Sequence, residues 1–228
     1  QWAISGAVST LGSAGGGAYV YKVSGLGKTM WLTHWGSDAF DYPGDLTVDN
    51  GGVVYCSGFV QGLAYGAAKG TAYLGSTGSS WGHGGDFVVV ALNATTGAQN
   101  WLTQTGTKGG DAGTSIAYQP AKLGGALYLV GWTTGNLATG AATSLYGKAD
   151  IAVVKLNLAG AIIETHAFGG PGDDVAGRLG SVSGKMVIPG SATSDWVGQG
   201  VDSCAFNGGT DVVAVRMCLS GATAPLVK

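Results

Sequence analysis

One pattern recurs along the chain at a nearly fixed spacing. Asp86 opens DFVVVALNATTGAQNW, an apolar strand, a tight turn closing on Gly97, and a second strand that opens near Trp101. Asp150 opens DIAVVKLNLAGAIIE and Asp211 opens DVVAVRMCLSGATAP, while a looser copy, AYVYKVSGLGKTMW, begins at Ala18. The copies lie 64 residues apart from Asp86 to Asp150 and 61 from Asp150 to Asp211. A period of this size restricts the fold to a repeat architecture: each unit is too small to bury its own apolar faces and must stack on its neighbours. The turn glycines Gly27, Gly97, Gly160 and Gly221 align, at a place where a tight hairpin needs positive φ.

A second strand pair follows each unit, in DLTVDNGGVVYCSGF (45–59), TSIAYQPAKLGGALYLVGW (114–132) and RLGSVSGKMVIPGSAT (178–193). Gly52, Gly125 and Gly184 align in its turn, and Gly58, Gly131 and Gly190 near the end of its second strand. Four short strands per unit, joined by glycine-bearing turns, are the content of a propeller blade. The expected fold is therefore all-β, a single propeller domain over residues 1–228 with four blades of about four strands. The blades are expected over 45–104, 114–168 and 175–228, with an incomplete one over 1–35. Gln1–Ser9 (QWAISGAVS) matches the later segments VVYCSGFVQ, LYLVGWTTG and MVIPGSATS, and so reads as one strand of that first blade. The strand equivalent to Leu46–Asp49, Ser115–Gln119 and Leu179–Val182 has no counterpart there. A strand from another chain, residues outside this sequence, or nothing would fill the gap. The inward positions Val88, Val90, Val153, Val213 and Val215 are expected to be buried.

Composition narrows the function classes. Charged residues are 11% of the chain and the net charge is −2, which leaves no basic stripe to neutralise phosphates and makes nucleic acid an unsuitable partner. Glycine accounts for 44 of 228 residues while apolar residues still make up 45%, a balance that reads as many turns between buried strands and not as disorder. No apolar run is long enough to span a membrane as a helix. The opening at Gln1 fits either a processed mature chain or a partial sequence. Low charge and abundant Gly, Ala, Ser and Thr point to an extracellular or cell-surface setting.

Candidate site residues are few. The loops at about 60–85, 133–149 and 192–210 share one place in the repeat and carry Tyr65, Tyr73, Trp81, Tyr146 and Trp196. Aromatic rings in loops suit either local packing, which is the favoured reading, or contact with a glycan. Asp38, Asp41 and Asp45 cluster in SDAFDYPGD, and Asp173 and Asp174 form a pair to which Asp111 aligns. Such oxygens in glycine-rich loops suit turn capping, again the favoured reading, or Ca²⁺. The spacing differs from that of an EF-hand, and no cofactor is otherwise expected. Asp86, Asp150 and Asp211 read as structural caps before a strand. Asn93-Ala94-Thr95 is an N-glycosylation sequon placed in a hairpin turn, and the Thr- and Ser-rich loops suit O-linked sugars. Cys56 lies mid-strand and is expected to be a buried free thiol. Cys204 and Cys218 flank one strand, and a disulfide between them requires the intervening loop to fold back. His34, His83 and His166 lack metal-ligand spacing, and neither GxSxG nor a P-loop occurs, so no enzyme activity is expected.

At these residues the chain resembles the bacterial extracellular β-propeller repeat family. The resemblance is carried by Lys155-Leu156, the turn Gly160, Trp31 and Trp101, Gly169-Gly170-Pro171-Gly172-Asp173, and Tyr55 with Gly58 or Tyr128 with Gly131. LNATTGAQNW is also similar to the repeat of quinoprotein-type propellers, although no quinone-site residue carries over. The Trp is itself incomplete, since Glu164 and Pro225 stand at its place in the other copies. The resemblance implies a fold and leaves function open. Two functions are expected from the residues. The first is a self-assembling structural subunit of a filament, sheath or surface layer, polymerising through the incomplete blade. The second is an adhesive, lectin-like module that binds glycans.

Overall fold

The computed structural model describes residues 17–67, 72–75, 85–137, 147–182, 185–196 and 208–218. Within them the chain is all-β, with a single 3₁₀ turn at Ala121–Leu123 and no α-helix. The strands are β1 (Ala18–Val23), β2 (Thr29–Trp35), β3 (Asp41–Val48), β4 (Val53–Val60), β5 (Asp86–Asn93), β6 (Gln99–Thr105), β7 (Asp111–Gln119), β8 (Ala126–Thr133), β9 (Asp150–Leu156), β10 (Ile162–Phe168), β11 (Asp174–Ala176), β12 (Gly180–Val182), β13 (Lys185–Ala192) and β14 (Asp211–Cys218). They form four antiparallel sheets, each from one contiguous stretch: β1-β2, β3-β4-β5-β6, β7-β8-β9-β10, and β13 flanked by β14 on one side and by β11 and β12 on the other.

Hairpin chemistry accounts for the meander. Gly27, Gly97 and Gly160 have φ of 75°, 74° and 87°, as their turns require. Gly58 and Gly131 do a different job. A Cβ on either would strike the backbone of the neighbouring inner strand, at Tyr42 and Ala112 respectively. Beside each, the inner strand carries a bulge, between Pro43 and Leu46 in β3 and between Gly113 and Ser115 in β7. The inner strands accordingly begin at Asp41, Asp111 and Asp174, several residues before the 46, 115 and 179 expected from the repeat alignment.

Both faces of the middle sheets are buried, which explains the unbroken apolar runs in β5 and β9. Successive side chains on a strand point to opposite faces. Val88 and Val90 therefore pack with Trp31, Trp35 and Val54 between the first and second sheets. Phe87, Val89 and Ala91 pack with Leu127, Leu129 and Val154 between the second and third. Val130, Ile151 and Val153 pack with Met186, Ile188 and Val215 between the third and fourth. Val88, Val90, Val153 and Val215 are buried as expected; Val213 is half-buried against the same cluster.

A polar latch joins each outer strand to the next unit's turn. Trp31 Nε1 donates to the Ala94 carbonyl at 3.1 Å and Thr33 Oγ1 to the Gly97 carbonyl at 2.5 Å. One unit later, Trp101 Nε1 donates to the Leu158 carbonyl at 3.2 Å and Thr103 Oγ1 to the Gly160 carbonyl at 2.6 Å. In the third sheet Glu164 and His166 stand at these two places and bond to each other at 2.6 Å.

Candidate functional site

The first sheet is the irregular one. Among the described residues β1 pairs only with β2, so its other edge has no strand beside it. Alternation along β1 turns Ala18 and Val20 toward the second sheet and leaves Tyr19, Tyr21 and Val23 on the opposite face, 57%, 56% and 47% exposed. On β2, Leu32 and His34 stand opposite Tyr21 and Tyr19 on that face, and Met30 is also exposed. The Tyr19 ring lies 6.1 Å from Tyr21 and 6.1 Å from His34. The result is an apolar sheet face in a sheet of only two strands among the described residues, a combination that can template the addition of another strand.

A cavity of about 360 Å³ adjoins this edge, bounded by Tyr19 and Tyr21, by Asp45, Leu46 and Cys56 of the second sheet, and by Arg178 of the fourth. Its polar wall is a small network. Arg178 Nη2 donates to Asp45 Oδ1, Ser115 Oγ donates to Asp45 Oδ2 at 2.7 Å, and the Leu179 N–H donates to Ser115 Oγ at 3.3 Å. Burial pushes the Asp45 carboxyl up, but the bonds from Ser115 and Arg178 outweigh it and hold the group below its ordinary value. These contacts bring the inner edges of the second, third and fourth sheets together. Sequence reasoning did not anticipate them, because Asp45, Ser115 and Arg178 sit in different repeats and share no motif. Cys56 is a buried free thiol, pushed up to about 12 by burial, and is no nucleophile at neutral pH.

The aromatic loop residues do not gather at one site. Trp196 is buried in the core between the third and fourth sheets, and its Nε1 donates to Asp174 Oδ1 at 2.8 Å. Tyr65 and Tyr73 are half-buried, and Tyr73 is pushed up to about 12 by burial, with the charges of Asp86 and Asp111 adding to that. Trp81, Tyr146, Cys204 and the equivalent strand at Gln1–Ser9 lie outside the described residues, as does any pairing of Cys204 with Cys218.

The acidic candidates separate by role. Asp38 is exposed, while Asp41 is buried and accepts the N–H and hydroxyl of Ser37, each at 2.7 Å. Burial raises Asp41, and the Ser37 bonds offset this in part. Asp111 and Asp174 repeat the motif: Thr107 donates its N–H and hydroxyl to Asp111 Oδ2 at 2.6 and 3.0 Å, and the Gly170 N–H donates to Asp174 at 2.7 Å. Each caps the crossover from one sheet to the next. Asp86 caps a loop, accepting the Leu74 and Gly75 N–H groups and Gln104 Nε2 at 3.0, 2.9 and 2.9 Å. Among the described residues no three His, Cys, Asp or Glu side chains are grouped as metal ligands.

Two junctions place two carboxylates side by side. A Cβ at Gly106 would sit 2.5 Å from Asp86 and 2.8 Å from Asp111, and Gly169 stands in the same way between Asp150 and Asp174. Asp86 and Asp111 are 0% and 1% exposed, and Asp111 Oδ1 has no hydrogen-bond partner. At the first junction Gly17 precedes β1 where Asp86 and Asp150 open the later strands, so Asp41 has no such companion.

The chain matches no protein-family model, and no curated protein matches it significantly. The functional reading therefore rests on these residues. No helix among the described residues is long and apolar enough to cross a membrane.

Proposed function

We propose that the four sheets are the blades of a four-bladed propeller, and that the protein is a non-enzymatic extracellular structural subunit that assembles with further copies through its first sheet. Three features support the ring. The sheets stack face to face in chain order, both faces of the middle sheets are buried, and Arg178 ties the inner edge of the fourth sheet back to Asp45 of the second. The observation that carries the assembly reading is the exposed apolar face of β1 and β2, whose sheet has two strands among the described residues where the others have four. A strand from a second copy, at the place in the first sheet equivalent to Leu46–Asp49, would complete that sheet, and the copy that gives it would cover Tyr19 and Tyr21. If each copy both gives and receives a strand, the contact is head-to-tail and generates a filament.

A second reading has its own support. Tyr19 and Tyr21 border a cavity whose wall also holds Asp45 and Arg178, an aromatic and charged combination suited to a sugar. One pair of measurements separates the two. Sedimentation and electron microscopy over a concentration series should show polymers of the wild-type chain, and Tyr21→Lys should abolish them while leaving the circular dichroism spectrum unchanged. A chain that stays monomeric at every concentration overturns the assembly reading, and its retention on a glycan column would favour the second.

A further inference from the structure

We propose that Asn93, in the turn between β5 and β6, is the acceptor of an N-linked oligosaccharide. The argument starts from what the turn needs. The Asn93 N–H donates to the Ala98 carbonyl at 2.8 Å, the Gly97 N–H returns to the Asn93 carbonyl at 2.8 Å, and Asn93 Oδ1 accepts the Thr95 and Thr96 N–H groups at 2.9 and 3.0 Å. The turn uses the amide oxygen, and among the described residues Nδ2 has no hydrogen-bond partner. Other hairpins show that an oxygen is all it requires. Ser24 Oγ accepts the Lys28 N–H at 3.1 Å in the first sheet, and Asp49 Oδ1 accepts the Gly51 and Val53 N–H groups, both at 2.8 Å, between β3 and β4.

Asn157 is the counterpart in the next repeat and separates fold from modification. Its Oδ1 accepts the Ala159 and Ala161 N–H groups at 3.0 and 2.9 Å, and the Gly160 N–H closes on its carbonyl at 3.0 Å. The Asn157 turn is one residue shorter, closing on Ala161 where the first closes on Ala98, and the residue two positions on is Ala159 where the first turn has Thr95, so an Asn-capped hairpin of this kind forms without a hydroxyl there. Both groups a glycosyl transfer reads, the Asn carboxamide nitrogen and the hydroxyl two residues later, are thus present at 93–95 and idle in the fold. Both side chains are on exposed residues. The neighbouring sheet reaches this turn through two carbonyls, Ala94, which accepts Lys22 Nζ at 2.8 Å and Trp31 Nε1 at 3.1 Å, and Gly97, which accepts Thr33 Oγ1 at 2.5 Å.

The transfer balances with one co-reactant, an oligosaccharide carried on a phosphate or diphosphate leaving group. Nδ2 forms a bond to the anomeric carbon, the C–O bond to the phosphate breaks with its electron pair leaving on that oxygen, and Nδ2 gives up one proton. The full chain, directed into the secretory pathway of a glycosylating eukaryotic cell, tests this by peptide mapping of both the secreted and the retained protein before and after an N-glycan amidase. Wild type should carry one glycan, at Asn93, and none at Asn157. Asn93→Asp, which keeps the turn's acceptor oxygen, and Thr95→Ala should carry none and be recovered in similar amount. Ala159→Thr should gain a second glycan at the Asn157 turn. Bare Asn93 in wild type overturns the proposal, most clearly if Ala159→Thr is modified at Asn157 alone.

Discussion

Replacing Asp111 by Asn should stabilise the protein at neutral pH, a direction opposite to that of most substitutions of a fully buried polar residue. Asp111 is 1% exposed, shares its site with Asp86, and leaves Oδ1 without a partner. Burial pushes its carboxyl from the ordinary value of 3.8 up to about 6, the Asp86 charge adds to this, and the Thr133 hydroxyl and the Thr107 N–H and hydroxyl offset it only in part. The folded chain therefore holds that proton more tightly than the unfolded chain. The stability this contributes is fully present below pH 4 and is lost as the pH rises from about 4 through 6. At 1.36 kcal/mol for each tenfold change in proton affinity, the loss reaches about 3 kcal/mol at pH 7. Asn is a permanent stand-in for the neutral acid. Its oxygen can accept from Thr107 as the carboxylate does. The expected gain at pH 7 is about 1–3 kcal/mol, or roughly 3–10 °C in Tm for a chain of this size.

Urea titrations at pH 4.5 and pH 7, read by tryptophan fluorescence, provide the assay. Wild type should have the higher midpoint at pH 4.5. Asp111→Asn should be ahead of wild type at pH 7 and level with it below pH 4, with an unchanged denaturant slope. Asp174→Asn is the control, because both of its oxygens accept from N–H groups, those of Gly170 and Trp196. There the amide must set an NH₂ against a donor, and a loss of about 1–3 kcal/mol is expected. Asp41, Asp86 and Asp174 are also raised by burial and reinforce the acid-side optimum, whereas Asp45 opposes it. An Asp111→Asn variant less stable than wild type at pH 7, with wild-type stability climbing steadily from pH 4 to 7, would refute the reasoning.

Three further outcomes follow from the packing. Val153→Asp places an unpaired charge at a 1% exposed position between the third and fourth sheets and should leave no folded protein, seen as loss of the β-sheet circular dichroism signal. Thr103→Val removes the bond to the Gly160 carbonyl and should cost about 1 kcal/mol in urea titration, while adding Trp101→Phe should couple non-additively, since both latch one turn. Gly106→Ala drives a methyl group against the Asp86 and Asp111 carboxylates and should cost about 1–3 kcal/mol by the same assay, more than Ala at Gly180, which meets nothing within 4 Å.

The sequence by itself determined the all-β class, the strand–turn–strand units and the turn glycines. Period-2 alternation, continuous apolar runs and positive φ at Gly97 and Gly160 are local properties that a chain writes residue by residue. It also marked Asp86 as a cap, although not what it caps. Tertiary structure alone decided which distant residues meet. The inner strands begin at Asp41, Asp111 and Asp174 because crossover capping and a bulge at each Gly-backed pair extend them, and neither leaves a periodic signal. Trp196 is core because Asp174, 22 residues away, offers its indole an acceptor. The Asp45–Ser115–Arg178 network, the pairing of Asp86 with Asp111 and the exposed face of Tyr19 and Tyr21 all depend on how one sheet lies against the next. That relation is set by packing between units whose sequences vary independently, so no single stretch of the chain encodes it.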